Sequence, residues 1–458
     1  MHNDMTRGKP LSEIVRFALP MMAGAVFQQL YSIMDMLVVG NAVGSRALAA
    51  VGATASTTFL AMSLVMGLSN GFTVVASRFF GAKDTAMLRK TFGASLYLSL
   101  ISAAILGVGG WLGAEPLMRL LNTPEDIFAD AVLYVKICIG CSAGMVMYNC
   151  AGAMLRAVGD SRTPLIFLIF SSILSVLLNL LFVLVFGMGV AGVAISTVIS
   201  QCVSAAACMV YMHKRLDIFR LTKEDLRVPP EIVRMLLKIG LPISLQSLLL
   251  SIGDMTITGV VNSAGTDVVA AYAAGGRIMH FVMMFCMQLA TAFSVFAGQN
   301  IGAKQADRIK QAFRQAVGIM LLMSLCMTGI IFALGDWLTG LFISSSDAHI
   351  TTILSHAGSM LQVYASFFVF LGLIWLYNFA LRGMGDVLIP FVSGLIELVA
   401  KVSLSIVLFR YFGPTGIWFA NPVGWVLGLI PAAVRFHSGG WMKLSGRRKG
   451  GGVEQPVD

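Results

Sequence analysis

Apolar residues run through this chain in long stretches, separated by short segments that hold most of its Lys, Arg, Asp and Glu. A helix crossing a bilayer needs about 20 predominantly apolar residues. Stretches of roughly that length or longer fall at 11–39, 48–80, 92–112, 128–155, 164–186 and 190–212. A second set follows at 232–261, 268–296, 312–338, 350–381, 387–412 and 417–434. The pattern predicts an all-α integral membrane protein of twelve transmembrane helices. Several stretches exceed the minimum, so they tilt, bend or project past the bilayer.

The stretches also repeat. Residues 70–83, ending Phe79-Phe80-Gly81-Ala82-Lys83, return at 291–304, ending Asn300-Ile301-Gly302-Ala303-Lys304. Leu155-Arg156-Ala157-Val158-Gly159-Asp160 with Pro164 returns as Leu381-Arg382-Gly383-Met384-Gly385-Asp386 with Pro390. Two motifs at nearly one offset imply two homologous six-helix bundles. Six is even, so the second copy enters the membrane as the first does. The copies are then a parallel repeat about a pseudo-two-fold axis along the membrane normal. Such a frame suits one lobe moving against the other around a central site. The expected organisation is an N-lobe at 1–213, a cytoplasmic linker at 214–231, a C-lobe at 232–438 and a cytoplasmic tail at 439–458. The tail, rich in Gly, Arg and Lys, is expected to be disordered.

Composition sharpens this picture. The chain of 458 residues is 57% hydrophobic and only 12% charged, where soluble domains carry about 25% charged residues. A soluble enzyme with a single anchor is excluded. The net charge of +10 is mostly a topology signal. Arg78, Lys83, Arg89, Lys90, Arg156, Arg162, Lys304 and Arg382 lie on one side with the 214–234 segment and the termini, while the alternate loops hold only Arg46, Arg119 and Arg410. The positive-inside rule then puts both termini in the cytoplasm, and the expected setting of this multi-pass protein is the bacterial inner (plasma) membrane. No dense basic arm suggests nucleic acid.

All seven cysteines lie in apolar stretches, and Cys138-Ile139-Gly140-Cys141 has no second pair or nearby His to complete a zinc site. A helix-buried pair of small residues is expected there. The chain carries no HExxH, Walker A or GxSxG sequence, so neither an enzyme nor ATP coupling is expected. No cofactor is called for beyond a coupling ion. No small-residue cleavage site follows the first apolar stretch, which is expected to be retained as a helix.

Ionisable side chains inside spanning helices are costly and mark function by default. Here they are Asp35, Lys136, Asp254, Arg277, His280, Glu397 and Lys401. A carboxylate suits an exchanger, because a proton or Na+ neutralises it and changes which conformation is stable. Tyr31 stands one turn before Asp35 and shares its face. By its place along the stretch, Asp35 also reads as an ordinary acid near the outer interface. Glu397 is the deepest acid by count, and Lys401 follows it by four residues, so the two are expected to pair. That pair either joins helices or opens when a substrate or cation reaches Glu397. Asp254 has Gln246 two turns earlier on nearly the same face, a counter-charge and an acceptor for one substrate cation. Lys136 is expected to snorkel. The 28 methionines suit an adaptable drug-binding surface, though most are expected to face lipid or neighbouring helices.

Leu19-Pro20, Gln28-Gln29-Leu30-Tyr31-Ser32-Ile33-Met34-Asp35 and Ala49-Ala50-Val51-Gly52 resemble the first helix pair of multidrug and toxic compound extrusion (MATE) transporters. The 155–160 motif with Pro164, Gly189-Val190-Ala191-Gly192 with Ala194-Ile195-Ser196-Thr197, and the 298–304 motif resemble later landmarks of that family, in its order. The resemblance implies a V-shaped pair of bundles around a central cavity. It also implies a polyspecific exporter that exchanges Na+ or H+ for drug-like, often cationic, small molecules. A monomer is expected. By position, it implies a cation-coupling set of Asp35, Tyr31, Asn149, Ser175, Asn179 and Thr197, with Na+ placed at Asp35 and Asn179. Many relatives carry an aspartate where Asn179 stands and an asparagine where Ser175 stands. Asp35 is thus the only carboxylate of the cluster, and Na+ and H+ both stay open. Asn179 reads equally as a helix-packing hydrogen bond. A family branch with a glutamate on helix seven has Leu250 here. The expected substrate cavity comprises Gln246, Asp254, Glu397 and Lys401. The rival function is a lipid-linked saccharide flippase of related architecture, which should carry more cavity Arg and Lys than this chain does.

Overall fold

The computed structural model describes residues 4–222, 224–343 and 349–442, and the tail from Lys443 onward lies outside the described residues. Every regular element among the described residues is helical. In order they are α1 (Pro10–Ala42), α2 (Ser45–Ala53), α3 (Ala55–Gly81), α4 (Thr85–Leu120), α5 (Glu125–Gly140), α6 (Ala143–Ala157), α7 (Arg162–Leu180) and α8 (Gly189–Arg215). Then come α9 (Pro230–Asn262), α10 (Thr266–Gly302), α11 (Ala306–Gly340), α12 (Ile350–Ser366), α13 (Phe368–Gly383), α14 (Leu388–Phe412), α15 (Pro414–Trp418) and α16 (Ala420–His437). Among the described residues, ten helices or helix runs are long and apolar enough to span a membrane. The pairs α5–α6 and α12–α13, bent by 43° and 52°, bring the total to the twelve expected.

Several stretches break where hydropathy alone gave one helix, 350–381 at Phe367 and 417–434 at Phe419 among them. Within 48–80, Thr54 interrupts the run, because its backbone N–H and its hydroxyl both turn to the Val51 carbonyl, at 3.2 and 2.7 Å. Within 128–155 the break falls at Cys141 and Ser142. Cys141 is therefore exposed and Cys138 only half-buried, so the pair is not buried in one helix as expected.

The repeated motifs turn out to be helix stops. Lys83 and Lys304, each the last residue of a Gly-Ala-Lys, adopt left-handed φ of 58° and 59°. The next residue then donates back five positions, Asp84 to the Phe79 carbonyl at 3.0 Å and Gln305 to Asn300 at 2.8 Å. Gly159 and Gly385 do the same in the other motif, with Asp160 donating to the Leu155 carbonyl and Asp386 to Leu381. These bonds satisfy carbonyls that a helix end leaves orphaned. The repeat therefore encodes where four helices end. After the stop the copies diverge. Asp160 accepts from the backbone of Arg162 and Thr163 at the start of α7, whereas Asp386 pairs with Arg435 at 2.6 Å.

The described residues form two compact units, one holding Leu19–Leu245 and the other Met5–Ala18 with the chain from Gln246 onward. The divisions fall inside α1 and α9, and the described residues of the 214–231 segment belong to the first unit. They pack within it: Phe219 meets Phe92 edge-on at 5.2 Å, and a side chain at Gly93 would reach 2.7 Å from the Asp225 carbonyl oxygen. Burial opposes ionisation of Asp225. Bonds from the Thr222 N–H and hydroxyl, both 2.8 Å, and the charges of Arg89 and Lys90 outweigh it and hold the carboxyl below the usual carboxylate range.

In the first unit, α3 and the opening half of α9 touch backbone to backbone. A Cβ on Gly71 would lie 2.5 Å from the Gly240 Cα, so small residues set this helix spacing. In the second unit, Trp418, Trp425, Tyr364, Phe368 and Leu371 fill a core around α12 and α13. Its N-terminal segment is bound into the α10 motif. The buried Met5 donates to Gln299 at 3.0 Å and accepts from Asn300 at 3.2 Å.

Candidate functional sites

In the first unit, α1, α7 and α8 bring five of the six expected coupling residues together. Tyr31 and Ser175 hydroxyls lie 2.7 Å apart. One turn along both helices, the Asn179 amide nitrogen donates to the Asp35 carboxylate at 2.5 Å. The Ser196 hydroxyl sits between the Asn179 carbonyl oxygen and the Val193 carbonyl. Thr197, beside it, donates to the Val193 carbonyl at 3.1 Å. Asn179, Ser175 and Ser196 are at most 1% exposed, whereas Asp35 and Tyr31 are half-buried. The sixth residue, Asn149, is not joined to this group. Its amide donates to the Met145 carbonyl of its own helix at 2.9 Å.

The spacing of α7 explains the pairing. Ser175 and Asn179 are four residues apart, as are Tyr31 and Asp35, so two matching rungs face each other. Ser196 is the residue that hydropathy did not single out. Its signal was available: Ser196, Ser200 and Ser204 recur every four residues on the buried face of α8.

Chemically, the cluster holds one carboxylate surrounded by neutral oxygens. As bonded, Asn179 gives Asp35 its nitrogen and keeps its carbonyl on Ser196, so it does not offer oxygen to a cation. Rotating the amide would present that oxygen to Asp35, and the Ser196 hydroxyl could then accept from the nitrogen. An oxygen facing an ionised carboxylate is repelled. The rotated form therefore suits a protonated or Na+-bound Asp35, and in that form the donor set fits a monovalent cation.

The second unit arranges its candidates differently from the expectation. Lys401 pairs with Asp254 at 2.7 Å, with side-chain exposures of 3% and 63%, and also reaches the Leu250 carbonyl at 3.4 Å. The expected Glu397–Lys401 pair is not the one made. The reason lies on α9, where a Cβ on Gly253 would fall 2.4 Å from Lys401 Cε. The absent side chain opens a channel for the lysine stem. Glu397 makes no hydrogen bond or contact ion pair among the described residues, though Lys401 and Asp254 both lie within its electrostatic reach.

Gln246 is 3% exposed, and its carbonyl oxygen accepts from Arg382 at 2.6 Å, so that acceptor is already engaged. Arg382 is 8% exposed, lies over the Phe379 ring at 4.7 Å, and has no carboxylate partner among the described residues. The Gln246 bond thus compensates part of the cost of a buried guanidinium. Of the other ionisable residues, Lys136 stacks on Trp111 at 5.8 Å and Arg277 on Phe342 at 5.5 Å, while His280 is exposed.

The profile of the family described as MatE matches residues 20–181 and 242–407. The chain is 31% identical over 446 residues to a probable multidrug resistance protein, YpnP, of Bacillus subtilis (strain 168), covering 96% of this chain and 98% of that one. It is 26% identical to a probable multidrug resistance protein, NorM, of Thermotoga maritima, over 94% and 93% of the two chains. Among solved structures, one described as the outward-facing conformation of a multidrug resistance MATE family transporter of the MOP superfamily aligns with a TM-score of 0.86. That alignment has 26% identity and covers 97% of this chain and 98% of the other.

Proposed function

The chain belongs to the MatE family of membrane transporters, and from that premise we propose that it is a secondary active multidrug exporter. It antiports organic, often cationic, drug-like compounds against Na+ or H+. The multidrug resistance names of its relatives support the substrate class. The placement of Lys and Arg supports cytoplasmic termini, the bacterial sources of its relatives support a plasma membrane setting, and the chain works as a monomer.

The observation that carries the coupling is the buried chain from Asp35 through Asn179 to Ser196. A single half-buried carboxylate in an apolar helix is the group whose neutralisation changes most in free energy between conformations. The cation at Asp35 and the drug favour different conformations, so each weakens the other by the same factor. External cation then drives release of drug outside.

Purified protein in vesicles, loaded with a cationic dye and given a Na+ gradient alone or a pH gradient alone, tests this reading. Efflux is expected under one of the two. Dye retention under both would contradict it.

A further inference from the structure

Two carboxyl groups in the second unit stand within electrostatic reach of one ammonium. Lys401 is held by Asp254, while Glu397, one turn earlier on the same helix, stands without a contact partner among the described residues. Residues four apart on a helix face each other. Rotation about the lysine's side-chain torsions therefore carries the ammonium from Asp254 to Glu397, and it is paired at both ends of the swing. The stem crosses α9 only because residue 253 has no side chain; an added Cβ would meet Lys401 Cε at 2.4 Å and Leu398 Cδ1 at 2.7 Å. Asp254 keeps 63% of its side chain open. A carboxylate that open inside an apolar helix faces water, because acyl chains would penalise it heavily.

We propose that Lys401 is a toggling internal competitor, occupying Asp254 until a monovalent organic cation arrives and then moving to Glu397. This rests on the export reading above. Two carboxylates and one ammonium leave room for one further positive charge, so the cluster suits a monocation better than a dication. The exchange keeps the lysine paired throughout and adds one ion pair, that of the substrate with Asp254. Arrival of the substrate therefore does not strand a buried ammonium, which is the event that would otherwise forbid it.

The test is equilibrium binding of tetraphenylphosphonium to the full-length protein in detergent, with thermal melting as the check on folding. In Gly253→Ala the new methyl meets the flexible end of Lys401, moving the ammonium off Asp254 without removing any charge. Gly253→Ala and Lys401→Met are each expected to bind about tenfold more tightly than the parent. Asp254→Asn should lose binding, and Glu397→Gln should weaken it several-fold because the lysine then has no second acceptor. Parental affinity in both Gly253→Ala and Lys401→Met, with vesicles of the parent still expelling the probe, would overturn the toggle and leave export standing. A parent that neither binds nor expels the probe would overturn the export reading and the toggle with it.

Discussion

Asn179 meets Asp35 through its amide nitrogen at 2.5 Å, while its carbonyl oxygen is held by Ser196. A neutral residue thus donates to the acid and accepts from its neighbour at once. When Asp35 is ionised the nitrogen faces it, and when Asp35 is neutralised the oxygen can. Under the proposed coupling the amide would link the state of α1 to α8, which a simple packing bond would not do.

Asn179→Leu separates those two roles. Leucine keeps the volume but loses both bonds, so stability should fall by about 1–3 kcal/mol. Gradient-driven efflux per folded molecule should fall at least about tenfold, equivalent to about 1.4 kcal/mol of lost coupling. Thermal melting and initial efflux rates measure the two effects. Lowered stability with parental efflux would make Asn179 a packing contact only.

Gln246 should behave as a support for Arg382 and not as a drug ligand. Gln246→Leu removes the acceptor 2.6 Å from a buried guanidinium and should cost about 1–3 kcal/mol of stability. Binding of tetraphenylphosphonium to the folded fraction should stay parental. A weakened affinity with unchanged melting would return Gln246 to the substrate site.

Backbone contact between α3 and α9 makes Gly71 intolerant. In Gly71→Val the first added carbon alone would stand 2.5 Å from the Gly240 Cα, and neither backbone has a flexible end to move. Overpacking of this kind costs about 1–3 kcal/mol or more, read as a lower melting temperature in detergent. A parental melt would mean that the two helices separate without penalty.

Asp225 makes the loop before α9 sensitive to acid. Its carboxyl is held below the usual range in the folded protein. Its contribution is therefore complete above the unfolded value of about 3.9 and is lost as pH falls through the lower folded value. Asp225→Asn removes that contribution at neutral pH. Tryptic cleavage at Arg227 should then run several-fold faster at pH 7 than in the parent, and equal rates would count against the Thr222–Asp225 clasp.

Much of the fold was legible because hydropathy and lysine–arginine placement act over whole helices. The helix breaks were not, since they depend on single residues such as Thr54 that bond locally against the helix. Of the first-unit cluster, spacing on α1 joined only Tyr31 to Asp35; the resemblance to MATE transporters implied Ser175, Asn179 and Thr197, and Ser196 hid beside the more familiar Thr197. The second-unit pairing was misread for a different reason. Helical spacing brings Glu397 and Lys401 together, yet Gly253 on a helix distant in sequence offers Lys401 the way to Asp254. Absence of a side chain leaves no mark in a hydropathy profile.

The central claim is that Asp35 carries the coupling. Its most direct test is dye efflux from vesicles holding equal amounts of folded parent or Asp35→Asn protein, under whichever gradient drives the parent. The account predicts that Asp35→Asn falls to the rate of protein-free vesicles while its melting profile and insertion remain close to parental. Efflux by Asp35→Asn at the parental rate would contradict it.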